Sequence, residues 1–433
     1  MKITILSWGS YGDVLPFIAL GLGLQKAGHV VSLVTDIDYQ ELVIKQGLNF
    51  IPLDSEAGHE EEDEQNDDVY PTNQGQNPFE VSRNHRHGLL PIENSILPTI
   101  YRVCQDAEAI MFSVSAYPTY ELLEKLEVPA FVVPVMPIHQ TREFPCHLTP
   151  SHIKIGGIYN RLTYSYAYQL FWQFIRQPIN QWRREMLDLP PVPVFSHLLS
   201  RVNKRKLPFI YGFSPSLLPK PSDWPDWTHV TGSWVLDSQK DWQAPKDLKE
   251  FIEAGSPPVY IGFGNRGNWK PEELTKIVLE ALKLSGKRGI LLVGDDIINR
   301  NDFPNEVFPL EWTPFEWLFP RMAAVVHHAG CGTVDAALRA GVPNIIVPFH
   351  SENFLWAYRI AELGLGVPPI QRKKLSAEKL AAAILTATSD KMMQARALEM
   401  SKRIQAEDGV ARAVEIFHQH VQVHSSKVNA FTK

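Results

Sequence analysis

Short apolar runs alternate with longer amphipathic segments along most of the chain. The first half carries KITILS (2–7), VVSLVT (30–35) and NFIPL (49–53), separated by an amphipathic run from Val14 to Lys26 and by YQELVIKQG (39–47). AIMFS, PAFVVPV and FIYGFS continue this series, and a second series contains PVYIGFG, GILLVG, AAVVHH and NIIVPF. Strands separated by helices of this length are typical of parallel βαβ units. The pattern therefore predicts an α/β fold with two doubly wound domains.

Composition and charge describe an ordinary globular protein. The 433 residues exceed one hydrophobic core, which favours two domains joined by a proline- and tryptophan-rich linker at 216–245. The formal net charge of −6 gives no reason to expect a nucleic-acid partner. Three cysteines without metal-ligand spacing fit a reducing cytosol, and we find no signal peptide and no run of 18 apolar residues. We expect a cytoplasmic protein, and the 11 tryptophans leave peripheral contact with a membrane open.

Two stretches depart from the alternating pattern. Residues 54–88 begin with an acidic run, DSEAGHEEEDEQNDD, which predicts a solvated loop; a metal site or a site for a basic partner is the alternative. Residues 159–191 are aromatic-rich with helical spacing. They predict a helix of the core or of an interface, or else an apolar wall for a ligand that includes Phe171 and Trp172.

The turn in HHAGCGTVDAALRAG (327–341) has the features of an anion site. AAVVHH predicts a strand and a helix begins at or near Gly332, so backbone N–H groups and the positive end of the helix dipole meet there. The glycines allow a close approach to the backbone, and His328 and Thr333 can add side-chain donors. A metal is disfavoured because adjacent histidines on a strand point to opposite faces. Cys331 has no motif that pairs it with a base, and a plain structural turn stays open as the alternative.

Several ordered motifs resemble a known family. HHAGCGTVDAALRAGVPNIIVPFHSENFLWAYRIAELGLG resembles the C-terminal signature of nucleotide-sugar-dependent glycosyltransferases of the GT-B type, and GSYGDVLPFIALGLGLQKAGHVVSLVT resembles their N-terminal segment. YNRLTYSYAYQLFWQFIRQPINQWRREMLDLPP and SPSLLPKPSDWPDWTHVTGSW look most like the sterol glucosyltransferase branch, which is similar to bacterial lipid and antibiotic glycosyltransferases. The resemblance implies two Rossmann-like domains facing across a cleft. Residues 1–215 would bind the acceptor, residues 246–405 would bind the nucleotide sugar, and a helix within 406–433 would return to the first domain.

The resemblance assigns residues to the nucleotide sugar. It places the diphosphate at the turn after the His-bearing strand, the base against Trp312, and the sugar hydroxyls at Glu352 and Asn353. The implied nucleotide and diphosphate contacts are Gly262, Gly264, Asn265, Trp312, Thr313, His328, Gly330, Cys331, Gly332 and Thr333. A buried core tryptophan is the alternative for Trp312.

The chain departs from the family pattern at several of these positions. Ala329 replaces a usual glycine, Asn265 a usual serine, and Phe315 a usual histidine or glutamine. The glutamate that holds the ribose in many relatives falls at Ala336, and Asp335 beside it is expected to be an exposed helix carboxylate. Together with Glu352 and Asn353, these departures put the identity of the donor sugar in question.

The acceptor hydroxyl needs a base, and the resemblance places Asp13 of GSYGDVLP at that position. An aspartate with an unperturbed pKa of about 4 is a weak base, and a pocket of low polarity would raise its pKa. Asp13 also suits the cap of a helix that starts at Val14. Ser10 and Gly12 belong to the same glycine-rich turn on the acceptor side, while His139 and His350 are alternatives for acid–base chemistry.

The resemblance implies an inverting hexosyltransferase that needs no metal or other cofactor. The expected reaction moves glucose from UDP-glucose, as co-substrate, to a hydroxyl of a lipophilic acceptor such as a sterol, carotenoid, lipid or polyketide. Three alternatives stay open: transfer from a thymidine-diphosphate deoxysugar such as rhamnose, a nucleotide-sugar epimerase, and a nucleotide-sugar-binding protein without catalysis.

Overall fold

The structure of the chain is a computed structural model that divides into two compact units. It describes residues 1–53, 92–149, 155–236, 242–264, 271–293, 303–349 and 351–431. The first unit comprises Met1–Ser238 and Glu407–Lys433, and the second comprises Gln239–Ala406. The acidic stretch 54–88, Asn265 and His350 lie outside the described residues.

The first unit is built on a parallel sheet, with seven strands among the described residues. The strands are β1 (Lys2–Leu6), β2 (Val30–Thr35), β3 (Asn49–Pro52), β4 (Ala109–Phe112), β5 (Ala130–Val132), β6 (Phe209–Tyr211) and β7 (Thr228–Val230). They lie in the order β3-β2-β1-β4-β5-β6-β7. In register, Ile3 of β1 pairs with Val31 of β2 on one side and with Ala109 of β4 on the other. The central strands read as almost continuous apolar runs because helices cover both faces of such a sheet.

The helices of the first unit come from both ends of the chain. They are α1 (Tyr11–Lys26), α2 (Gln40–Lys45), α3 (Ile92–Gln105), α4 (Thr119–Leu122), α5 (Gly157–Glu185), α6 (Leu198–Arg205) and, after the second unit, α14 (Gly409–Phe431). Helix α14 packs on α1, where a Cβ at Gly23 would lie 2.2 Å from Val410. Phe417 of α14 is fully buried in the core and packs near Phe131 of β5, with ring centroids 5.1 Å apart.

The second unit repeats the plan on a smaller scale, with five parallel strands among the described residues. The strands are β8 (Val259–Gly262), β9 (Gly289–Leu292), β10 (Val307–Leu310), β11 (Ala324–His327) and β12 (Asn344–Ile346), in the order β10-β9-β8-β11-β12. The helices are α7 (Lys246–Glu253), α8 (Pro271–Ser285), α9 (Phe315–Leu318), α10 (Cys331–Ala340), α11 (Ser351–Glu362), α12 (Ala377–Ser389) and α13 (Lys391–Gln405). Both faces of this sheet are buried in apolar clusters.

The structure confirms the predicted α/β class with two parallel sheets and differs from the sequence-based prediction in three details. Residues 228–230, within the predicted linker 216–245, form β7 at the edge of the first sheet. Strand β10 was also missed, since neither segment has a long apolar run. Helix α1 begins at Tyr11 rather than Val14, because Tyr11, Gly12 and Asp13 form its first turn before the apolar run starts. Among the described helices, none has the length and apolar character needed to cross a bilayer.

Candidate functional site

Each sheet has one point at which the strand order reverses, and the residues of interest follow those strands. The order reverses between β1 and β4 in the first sheet and between β8 and β11 in the second. In open parallel sheets the loops on the two sides of such a reversal diverge and leave a crevice at the carboxyl ends of the strands, where ligands bind. Both glycine-rich turns singled out from the sequence lie at these points.

In the first unit, the turn after β1 is shaped by Gly9 and Asp13. Gly9 has φ +127°, a conformation that L side chains rarely adopt, and a Cβ there would lie 3.0 Å from Asp13 Oδ2. Ser10 is the N-cap of α1, and its backbone N–H and its hydroxyl both donate to Asp13 Oδ2, at 3.0 and 2.7 Å. Asp13 is therefore the third residue of the helix and not its N-cap, and its carboxylate caps the first turn as the partner of Ser10 in a capping box. The required glycine of this turn is Gly9; at Gly12 a Cβ would meet only Ser10 Oγ, at 3.8 Å.

Asp36 and Tyr39 support the same turn, and the sequence analysis missed both. Asp36 Oδ2 accepts a hydrogen bond from Gly9 N at 3.0 Å, and the Tyr39 hydroxyl donates to Gly9 O at 3.0 Å. Burial raises the pKa of Asp36. Burial, together with the carboxylates of Asp36 and Asp13, raises the pKa of Tyr39 to about 12, so this hydroxyl stays a donor. The position of Asp36 could have revealed it in the sequence, because Asp36 directly follows β2 at the carboxyl edge of the sheet.

The loop after β4 is joined to the turn after β1. Ser115 Oγ donates to Trp8 O at 2.9 Å and lies 2.7 Å from Ser113 Oγ. The hydrogen bond from Ser115 to Trp8 joins the loops on the two sides of the first reversal point. It links residues more than 100 positions apart, which explains why no local pattern revealed it.

In the second unit, His328 connects the turn after β8 with the turn after β11. A Cβ at Gly264 would lie 2.6 Å from His328 Cε1, and a Cβ at Gly330 would lie 2.7 Å from His328 Nε2. The imidazole thus occupies space that only two glycines leave open. The structure brings together three residues, Gly264, His328 and Gly330, that the sequence analysis selected from two separate motifs.

His327 and Asn344 fix the backbone beside this contact. His327 is completely buried; its Nε2 lies 2.9 Å from Asn344 Oδ1, and its Nδ1 accepts a hydrogen bond from Ala329 N at 3.2 Å. Burial lowers the pKa of His327 to about 3, so the ring is neutral and carries its proton on Nε2. His327 and His328 therefore have different roles, one inside the fold and one at the turn.

Ala329 and Asn353 meet at the same turn. Ala329 has φ +71°, the left-handed region for which glycine is favoured, and this is the position where relatives are expected to carry glycine. Asn353 is almost fully buried, and its Nδ2 donates to Ala329 O at 3.2 Å. This amide, which the resemblance assigned to the sugar, contacts the turn directly. The side chain of Glu352 lies outside the described part of the chain.

The first turn of α10 offers backbone donors. Gly330 is the N-cap and supplies no side-chain cap. The N–H groups of Cys331, Gly332 and Thr333 lie in the first turn of the helix, at the positive end of its dipole. Asp335 is half-buried, and its carboxylate forms an ion pair with Arg339 one turn later in the helix, at 2.8 Å.

Trp312 lies on the surface of the second unit. Half of its side chain is exposed, so the alternative of a buried core tryptophan is wrong. Trp242 packs edge-on against it, with ring centroids 6.5 Å apart. The next residue, Thr313, is buried, and its Oγ1 has no hydrogen-bond partner among the described residues. Phe315 is turned to the core, where it stacks on Phe319 at 4.3 Å.

Two family models match the chain, an N-terminal model in the first unit and a C-terminal model mainly in the second. Residues 3–145 match the glycosyltransferase family 28 N-terminal domain, and residues 293–418 match the C-terminal domain of erythromycin biosynthesis protein CIII-like proteins. The chain belongs to the GT-B glycosyltransferases.

Individual relatives of this glycosyltransferase agree with the family. It is 34% identical over 434 residues to a sterol 3-beta-glucosyltransferase of Emericella nidulans, covering 98% of this chain and 30% of that protein. It is 35% identical over 436 residues to a sterol 3-beta-glucosyltransferase of Candida albicans, covering 97% of this chain and 28% of that protein. The chain thus spans about 30% of the length of the curated relatives it matches.

Solved structures share the fold of this glycosyltransferase. The glycotransferase of kitacinnamycin superposes with a TM-score of 0.71 at 18% identity, covering 97% of this chain and 98% of that chain. The glycosyltransferase VinC in complex with dTDP superposes with a TM-score of 0.67 at 16% identity, covering 98% of this chain and 100% of that chain.

Trp172, a candidate for acceptor binding, and His139, a candidate for acid–base chemistry, are both buried in the glycosyltransferase. Trp172 is buried in a cluster with Ile175 and Ile179, and its Nε1 donates to Pro193 O at 3.1 Å; Phe171 is half-buried against the same cluster. Trp172 therefore packs the core instead of lining an open wall. His139 is buried between Tyr211 and Asn203, and burial lowers its pKa to about 4. It has no access to an acceptor.

Metal ligands are not assembled in the described part of the glycosyltransferase. Within it, no group of three or more His, Cys, Asp or Glu side chains is placed to hold an ion. The side chains that contact the backbone at the turns after β8 and β11 are the His328 imidazole and the Asn353 amide.

Proposed function

We propose that this protein is an inverting hexosyltransferase that moves glucose from UDP-glucose to a hydroxyl of a lipophilic acceptor. The observation that carries the proposal is the contact of His328 with Gly264 and Gly330, which joins two turns and the first turn of α10 at the reversal point of the second sheet. The names of the curated relatives, sterol 3-beta-glucosyltransferases, support glucose and a sterol-like acceptor.

The donor half of the proposal follows from the charge of the leaving group. When the bond from the anomeric carbon to the diphosphate breaks, negative charge grows on the phosphate oxygens. The N–H groups of Cys331, Gly332 and Thr333, the Thr333 hydroxyl and the His328 ring would stabilise this charge without a metal. Gly262 and Gly264 would contribute backbone groups at the end of β8, since the Tyr260 and His328 side chains fill the space beside them. Trp312, with its exposed face, would stack on the base, and Thr313 and Asn265 would complete the nucleotide contacts.

The acceptor half assigns the base to Asp13. The acceptor oxygen forms a bond to the anomeric carbon on the side opposite the diphosphate, and its proton passes to the Asp13 carboxylate. The two hydrogen bonds from Ser10 hold one carboxylate oxygen and orient the group. Glu352 and Asn353 would contact the sugar hydroxyls, Asn353 from its place beside Ala329.

A screen of donors against acceptors, read by mass spectrometry, tests the proposal. We expect a hexose gain on a sterol-like acceptor with UDP-glucose. Asp13→Asn should abolish transfer while leaving UDP affinity unchanged, whereas Asp38→Asn, an exposed carboxylate nearby, should retain transfer. Trp312→Ala should weaken UDP binding, and Trp312→Phe should restore it.

The outcomes separate the competing functions. A deoxyhexose gain from a thymidine-diphosphate donor would replace the donor assignment, an alternative supported by the dTDP bound to VinC. Conversion of the nucleotide sugar without acceptor would indicate an epimerase. Nucleotide binding without any turnover would indicate a binding protein, and full transfer by Asp13→Asn would remove only the base assignment.

A further inference from the structure

Helix α5 carries large apolar side chains on a face that points to solvent. Ile158 is 76% exposed, and Leu162 and Tyr166 are also exposed. Their spacing of four residues places them on one face of the helix. Ile155, two residues before the helix, is exposed as well.

The exposed apolar surface continues beyond Tyr166 through a neighbouring loop. Gln169 and Gln173 follow on the same face, and both side-chain amides donate to Val194 O, at 2.8 and 2.9 Å. Val194 is exposed, and Phe195 beside it is 84% exposed. We name this surface the α5 stripe; it consists of Ile155, Ile158, Leu162, Tyr166, Val194 and Phe195.

The stripe is not needed to hold α5 in the fold. The opposite face of the helix is buried through Thr163, Tyr164 and Ala167. Near its end, Arg183 is buried and forms ion pairs with Glu121 and with Glu124, the latter at 2.8 Å. Six large apolar side chains exposed together on one side of a well-anchored helix are typical of an interaction surface.

Arginines predominate among the charged residues of α5. From Gly157 to Arg184 the charged residues of α5 are four arginines, and the first acidic residue of the helix is Glu185. Arg161 lies between Ile158 and Leu162 and is exposed. Arg142, also exposed, packs against Gly157 at the start of the helix, where its backbone N–H donates to the exposed Asp223 at 2.9 Å. The helix therefore carries a positive formal charge, whereas the whole chain has a net charge of −6.

We propose that the α5 stripe docks on an anionic lipid bilayer. The apolar side chains would enter the interfacial region, with Tyr166 at the level of the headgroups, while Arg142 and Arg161 meet the lipid phosphates. A second copy of the chain fits this face less well, because a two-fold contact would bring the same arginines of both copies together. The proposal concerns where the protein works and does not depend on which sugar it transfers.

Co-sedimentation of the full chain with vesicles tests the proposal. We expect binding to phosphatidylcholine vesicles that contain phosphatidylserine and weaker binding to phosphatidylcholine alone. The double variant Ile158→Ser with Leu162→Ser should lower the vesicle-bound fraction by more than about tenfold, because two apolar anchors are lost. The matched control, Leu284→Ser with Leu385→Ser, changes exposed leucines of the second unit and should bind as the original chain does.

Further measurements decide between the remaining outcomes. Arg142→Gln with Arg161→Gln should remove the preference for phosphatidylserine while leaving residual binding, and circular dichroism should confirm that each variant is folded. Unchanged vesicle binding by the serine variant, or no binding by the original chain, would overturn the proposal. Loss of self-association in sedimentation velocity, without an effect on vesicles, would assign the face to a second copy and overturn it too. UDP binding measured in the same samples keeps this result separate from the proposed transfer reaction.

Discussion

Ala329 holds the turn after β11 in a conformation that is unfavourable for its own side chain. Left-handed backbone costs an L-residue about 1–2 kcal/mol. Two hydrogen bonds offset this cost, one from Ala329 N to His327 Nδ1 and one from Asn353 Nδ2 to Ala329 O. Each buried hydrogen bond contributes about 0.5–1.5 kcal/mol. The turn is thus kept in shape by its neighbours and not by the conformational freedom of a glycine.

A substitution at Asn353 distinguishes support of the turn from contact with the sugar. If Asn353 acts only through Ala329, Asn353→Ala should weaken UDP and UDP-glucose binding by the same factor, about 2- to 10-fold, the value of one hydrogen bond. The proposed contact with the sugar hydroxyls should make the loss larger for UDP-glucose than for UDP. Isothermal titration calorimetry with both ligands measures this. Asn160→Ala is the matched control, since Asn160 is similarly buried and donates to the backbone carbonyl of Arg142 in the first unit. A loss confined to UDP-glucose would contradict the supporting role.

At this scale the sequence predicted the turns but not what stabilises them. Gly264, His328 and Gly330 could be selected because each follows a recognisable strand. The contacts of Gly9 with Asp36 and Tyr39, and of Trp8 with Ser115, join segments that are distant along the chain. Such contacts depend on strand order, which no local pattern specifies.

At the scale of elements, two pairs of histidines join α14 to the rest of the first unit. His29 Nε2 lies 2.8 Å from His418 Nε2, and His229 Nε2 lies 3.0 Å from His420 Nε2. A hydrogen bond between two such nitrogens needs one donor and one acceptor, so at least one ring of each pair is neutral. Burial lowers the pKa of His29, with the Met1 amino group and His418 adding to the effect. Burial, His420, Lys220 and Arg412 lower the pKa of His229 to about 4, and burial lowers that of His420.

The lowered pKa values in these histidine pairs predict that the first unit becomes less stable in acid. A histidine whose folded pKa lies below its unfolded value of about 6.5 stabilises the fold above that pH, and the contribution is lost as the pH falls through the folded pKa. We expect the unfolding free energy of the first unit to fall between about pH 6.5 and 4. In the double variant His418→Gln with His420→Gln the fall should be shallower, because glutamine keeps a neutral partner.

Urea unfolding at several pH values measures this effect. The difference between the original chain and the variant isolates the two pairs, because other buried histidines of the first unit, His139 and His147, titrate equally in both. Parallel curves for the two proteins would show that the pairs make no contribution.

The elements themselves were largely predictable, and the exceptions have local causes. The apolar runs located most strands because a strand covered on both faces is apolar throughout. THV and VFPL are too short to stand out, so β7 and β10 were missed. The aromatic run at 159–191 was correctly predicted as helical. Its periodicity did not reveal which aromatic residues face inward, and Trp172, one of the candidates for a ligand wall, is buried in the core.

At the scale of the whole molecule, the two units have separate cores. The core of the first combines side chains from β1 and α1 with Ala413, Ile416 and Phe417 near the other end of the chain. The cores of the second draw only on residues of that unit. A change in one core should therefore act on one unit.

Phe417→Ala tests this separation. Removal of a fully buried phenylalanine costs about 3–5 kcal/mol. We expect hydrogen exchange, followed by mass spectrometry during heating, to speed up in peptides of β1, β5 and α1, with little change in 259–346. Phe319→Ala, equally buried in the second unit, is the reciprocal control. Equal loosening of both units by Phe417→Ala would contradict separate cores.

Because the C-terminal segment Glu407–Lys433 belongs to the first unit, only some recombinations between two related glycosyltransferases keep matching contacts. Gly409 approaches Gly232 so closely that a Cβ would lie 2.5 Å from the Gly232 carbonyl carbon, and Glu407 accepts hydrogen bonds from the hydroxyls of Ser214 and Ser216. A single crossover near residue 240 would join one parent's first unit to another parent's α14, and these contacts would be mismatched. Two crossovers, near 239 and 406, exchange the second unit as an insert and inherit both flanks from the same parent. Chimaeras built by the second route should fold far more often than those built by the first.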